Sequence, residues 1–99
     1  MISKPEFINR LRQLPDMIYS KTREASYTNF NLNGSVLQFE RVNTGKIWDL
    51  DVDVLYDIYR SNALINTTVI KNITGKRVNS PSVAVLMAIR CIDANGKRL

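Results

Sequence analysis

Histidine is absent from these 99 residues, and Cys91 is the only cysteine. Without a second thiol an intramolecular disulfide cannot form, and without imidazoles or paired thiolates a structural zinc centre has no ligands. The usual proton shuttle near neutral pH is missing too, so Ser-His-Asp and Cys-His catalysis cannot operate within the chain. Proton transfer would need a carboxylate or lysine of displaced pKa, and no such group has a recognisable partner. No catalytic residue is therefore assigned, and the expectation is a protein that is not an enzyme.

Glycine and proline are also scarce, at four and three residues, while 44% of the chain is apolar and 23% charged. That composition fits neither a collagen-like nor a disordered chain. A length of 99 residues suits one hydrophobic core, so residues 1–99 are expected to form a single globular domain. No apolar run approaches the roughly 20 residues that span a bilayer. The opening Met1-Ile-Ser-Lys-Pro-Glu6 lacks the charged start and apolar block of a signal peptide. No membrane partner is expected, and a lone reduced cysteine fits the cytoplasm. The sequons at Asn33, Asn66 and Asn72 then read as chance matches rather than glycan sites.

Charge is present in excess of one sign. Fourteen Lys and Arg against nine Asp and Glu give +5. The excess falls in the first half and the last third, around a short acidic stretch holding Asp49, Asp51, Asp53 and Asp57. Two basic regions flanking an acidic one suit a polyanionic partner.

Periodicity divides the chain into elements. Ser3-Lys-Pro-Glu6 is a helix-start signature, and Phe7, Leu11, Leu14 and Ile18 continue it at helical spacing, with Pro15 kinking or splitting the helix. From Tyr27 the period becomes two: Phe30 and Leu32, then Leu37 and Phe39, alternate with polar residues around Asn33-Gly34. This predicts a hairpin with Asn33 and Gly34 at the centre of a type I′ turn. Asn43-Thr-Gly-Lys46 offers a second turn, so 27–50 reads as a three-stranded antiparallel meander. Val54, Leu55, Ile58 and Tyr59 restore a helical period over 51–61, started by aspartates that suit the positive end of a helix. Ser80-Pro81 starts a last helix reaching Ile92, apolar on most sides, with a stripe of Ala84, Ala88 and Cys91. Such a helix is a core element or a dimer contact, and the core reading is preferred.

The segment 66–73 is ambiguous, because its β-branched residues argue strand while Ile65, Val69 and Ile73 recur at helical spacing. A faint echo tips the reading towards strand: Thr44-Gly45-Lys46 returns as Thr74-Gly75-Lys76, each followed by V-x-V-L-x-x-I. The expected fold is α+β: an N-terminal helix, a three-stranded antiparallel meander, a helix, a short hairpin and a C-terminal core helix. The alternative makes 66–73 a helix and yields a winged helix-turn-helix.

Apparent motifs fail on spacing. Asp49, Asp51 and Asp53 resemble a calcium loop, yet Val54 and Arg60 stand where it needs glycine and glutamate, so no metal is assigned. Gly45-Lys46 and Gly75-Lys76 lack the first glycine and the Ser/Thr of a P-loop, so no nucleotide cofactor is assigned. Both turns still offer backbone N–H groups beside cations, the parts that grip phosphate without reading sequence. The candidate nucleic-acid-binding residues are Lys46, Lys71, Lys76 and Arg77. DNA or RNA is the expected partner, with no small-molecule substrate evident. The alternative is a protein partner or homodimer contact through the apolar C-terminal helix or a sheet edge. Cys91, among apolar neighbours, is expected to be an inert core thiol.

Overall fold

A computed structural model describes residues 1–75 and 79–99 of the chain. The class is α+β, with four helices and a four-stranded antiparallel sheet among the described residues. Helix α1 (Lys4–Arg12) starts as the sequence predicts: the Ser3 side chain accepts the Glu6 N–H at 3.4 Å, and proline stands in the first turn. It ends at Arg12, not near Ile18. Pro15 disfavours helical geometry at Leu14, and three residues beyond it Ile18 lies in strand β1 (Met17–Tyr19), paired with Tyr27.

Strands β2 (Ser26–Asn33), β3 (Val36–Arg41) and β4 (Lys46–Asp51) form the expected meander, and β1 extends it on the β2 side. The hairpin turn is shifted by one residue. Asn33 pairs with Val36, so Gly34 and Ser35 are the central pair, and only Gly34 has positive φ, at +61°. That is the distribution of a type II′ turn rather than I′. The shift sets Leu32 directly against Leu37, whereas the predicted turn would have set it against Ser35; apolar cross-strand pairing decides the register.

A bulge follows in β2. Thr28 pairs with Glu40 and Asn31 with Gln38, so Asn29 and Phe30 together oppose Phe39, with Asn29 at φ +55°. Tyr27 and Phe30 are three residues apart and would otherwise point to opposite faces. The extra residue brings both onto Phe39, with ring centroids at 5.4 and 5.9 Å.

Helix α2 (Val52–Ser61) follows β4 directly, with the Asp51 carboxylate accepting the Val54 N–H at 3.1 Å. Residues 67–74 form helix α3 (Thr67–Thr74), not a strand, and the expected short hairpin is replaced by it. Asn66 caps its start by accepting the Val69 N–H at 2.9 Å, and Gly75, at φ +65°, closes its end on the Lys71 carbonyl at 2.8 Å. Two good caps and the complete burial of Ile70 outweigh β-branched propensity here. The Thr-Gly-Lys echo therefore joins unlike structures: Gly45 lies in a hairpin loop, Gly75 ends a helix.

Helix α4 (Asn79–Ala88) has every residue from Pro81 to Leu86 buried. It stops short of Ile92 because Arg90 takes φ +62°. The Arg90 and Cys91 N–H groups turn back to the Met87 and Leu86 carbonyls at 3.1 and 2.9 Å, a Schellman closure. The small-residue stripe is thus broken: Ala84 is buried, Ala88 is exposed, and Cys91 lies beyond the helix. One core joins Phe7 and Leu11 of α1, the inner sheet residues Ile18, Tyr27, Leu37, Phe39 and Leu50, and the buried faces of α2, α3 and α4. No helix among the described residues is long and apolar enough to cross a membrane.

Candidate anion-binding cleft

The inner face of the sheet changes character at one end. Ile18 pairs with Tyr27, Tyr27 with Arg41, and Arg41 with Lys46, so one cross-strand row runs from two buried apolar side chains to two cations. Directly opposed residues share a face, which places Arg41 and Lys46 on the helix-covered side beside Trp48, two residues along β4. The Lys46 ammonium sits 4.8 Å from the centroid of the Trp48 ring, a cation–π contact that holds it over the indole.

These side chains line a cleft of about 440 Å³, whose remaining walls include Ser20, Thr44 and the α4 residues Ser80 and Pro81. Arg41 Nε and Trp48 Nε1 are both shielded from solvent and have no hydrogen-bond acceptor. Buried N–H groups are normally satisfied, and each one left open costs about 1–3 kcal/mol. Glu24 also lines the cleft, yet the ion pairs among the described residues are Lys4–Asp53, Arg10–Glu6 and Arg60–Asp57, so neither Arg41 nor Lys46 has a carboxylate partner. Arg41 and Lys46, without carboxylate partners among the described residues, thus share one polar recess with Trp48.

Of the residues singled out from sequence, Lys46 belongs to this cleft. Lys71 is exposed on α3 and does not line it. Lys76 and Arg77 lie outside the described residues. Arg41 and Trp48 escaped notice as binding residues, although Arg41 carried a signal: it continues the Leu37, Phe39 alternation, so a cation occupies a position on the buried side of a strand.

The acidic stretch is dispersed among separate partners. Asp51 caps α2, Asp53 pairs with Lys4, Asp57 pairs with Arg60, and Asp49 accepts a hydrogen bond from Gln38 at 3.3 Å. Asp53 also raises the pKa of the Lys4 ammonium, chiefly through their hydrogen bond. Cys91 is buried, and desolvation pushes its thiol up to about 11.

No protein-family model matches this chain, and no curated protein or solved structure shows significant similarity to it.

Proposed function

We propose that this chain is a small non-catalytic, cytoplasmic module that binds nucleic acid through backbone phosphates, one of which seats between Arg41 and Lys46. The observation that carries this reading is the convergence of Arg41 and Lys46, without carboxylate partners among the described residues, beside Trp48 in one cleft of a +5 chain. Phosphate oxygens would meet the two cations, and a cation–π-held lysine is positioned to meet the charge without losing much side-chain freedom. Contacts of this kind fix the backbone and do not read bases, so binding should be tolerant of sequence. The rival reading, in which α4 supplies a contact surface for a protein partner, has less support because Pro81 to Leu86 are already buried within the chain.

The test uses Trp48, the only tryptophan, as a reporter inside the cleft. Titration with a labelled duplex and a labelled single strand at low salt should change both probe polarisation and Trp48 emission. The affinity should fall steeply with added salt, and Arg41→Ala or Lys46→Ala should each flatten that salt slope by about one unit. Absence of binding by either strand form at high micromolar protein would overturn the proposal.

A further inference from the structure

Strand β4 is the last in the sheet order β1-β2-β3-β4, so among the described residues its far side carries no strand. The Val52 N–H donates to the Ser35 carbonyl at 2.8 Å, and this pair continues the register in which Val36 faces Asp51. Hydrogen-bonded and non-hydrogen-bonded pairs alternate in an antiparallel ladder, so Leu50, Trp48 and Lys46 turn their backbone groups to β3. Ile47 and Asp49 turn theirs outward, forming an open edge.

Beside that edge lies a cavity of about 250 Å³ between β4, α2 and α3. Leu50, Leu55 and Ile58 line it together with Val54 and Ile73, and the last two remain 38% and 51% exposed. Asp49 and Asp51 also line it, and neither forms an ion pair among the described residues. An open strand edge, an apolar hole beside it and two carboxylates without cations are the three parts of a site for strand addition.

We infer that β4 binds an extended peptide segment in which one apolar side chain is flanked on both sides by Lys or Arg. Alternation along an added strand explains that pattern. Asp49 and Asp51 lie on the face of β4 opposite to Leu50, so a residue directed into the apolar cavity has neighbours directed to the aspartates. A basic-apolar-basic triplet complements both features in a single register. Centred antiparallel pairing with β4 of a second copy would instead bring the aspartates of the two chains together, which opposes self-association through this edge. The inference does not depend on the phosphate cleft, whose cations lie on the inner face, Arg41 on β3 and Lys46 on β4.

The experiment adds a labelled synthetic peptide carrying one leucine between two lysines to the full chain, beside controls with serine for the leucine or glutamate for the lysines. The lysine-leucine-lysine peptide should bind, and both controls should bind at least roughly tenfold more weakly. Amide hydrogen exchange should slow at Ile47 and Asp49 on peptide addition. Asp49→Lys, at an exposed position, should reduce affinity at least roughly tenfold while leaving oligonucleotide binding in place. Ile47→Pro should remove an outward N–H and weaken the peptide with the fold intact by circular dichroism. Equal binding of all three peptides, unchanged affinity in Asp49→Lys, or protection appearing only away from β4 would overturn the inference. So would a dimer in sedimentation that buries this edge.

Discussion

The Gly96 carbonyl accepts the Ile65 N–H at 2.8 Å, and a Cβ placed on Gly96 would stand 2.2 Å from the Ile65 carbonyl oxygen. This close approach ties the C-terminal segment to the residue just before α3, and single bridges from Leu64 to Lys97 and from Ile92 to Arg98 continue it. Gly96 also takes φ +81°. Gly96→Ala should therefore destabilise the fold by about 2–4 kcal/mol, from backbone overlap added to left-handed strain. Urea unfolding followed by Trp48 emission measures the change.

The end of α4 makes the opposite prediction. Arg90 occupies the left-handed closing position at φ +62°, where glycine has no steric penalty. Its side chain is exposed and makes no hydrogen bond or ion pair among the described residues. Arg90→Gly should raise stability by about 0.5–1 kcal/mol, with part of the relief offset by the greater freedom of glycine in the unfolded chain. Thermal melting reads the shift as a higher Tm.

Burial of Cys91 makes stability fall at alkaline pH. Its folded pKa of about 11 lies above an ordinary value of 9.0, so the folded state retains the thiol proton after the unfolded state has lost it. The unfolded chain then binds fewer protons, and stability decreases as pH rises. This contribution is complete below about pH 9 and is lost by about pH 11, a difference of roughly 2–3 kcal/mol. Cys91→Ala should lack this loss, so subtracting its stability profile from that of the natural chain isolates the thiol from other titrating groups. The native thiol should also react slowly with thiol reagents at pH 8 and rapidly after denaturation.

Arg41 should show a conflict between stability and binding. Its Nε is buried without an acceptor, so Arg41→Met, similar in reach and free of the stranded donor, should stabilise the unliganded chain by about 1 kcal/mol. The same variant should lose the rise in Tm that a saturating oligonucleotide gives the natural chain. Differential scanning with and without oligonucleotide measures both effects.

Much of the fold could be read directly along the chain. Ser3 and Asp51 stand where helices begin and make the caps their side chains permit. The alternation around Asn33-Gly34 located the hairpin to within one residue of its turn. Each of these signals acts over a few neighbouring residues, which is why it survives without tertiary information. Ile18 and Ile70 could not be assigned in this way. Ile18 fits a helical period but pairs with Tyr27, and Ile70 sits in a β-branched run but fills the core from a helix.

By itself the sequence determined the α+β class, the missing chemistry of histidine and paired cysteine, the basic balance and the inert environment of Cys91. Tertiary structure alone decided that Arg41 lies opposite Lys46, that both line one cleft with Trp48, and that no described strand pairs with the outer edge of β4 beside Ile73. The reason is the range of the forces involved. Caps, turns and periodicity are settled between residues close along the chain, whereas burial, register and the convergence of charge depend on partners that only the folded chain brings together.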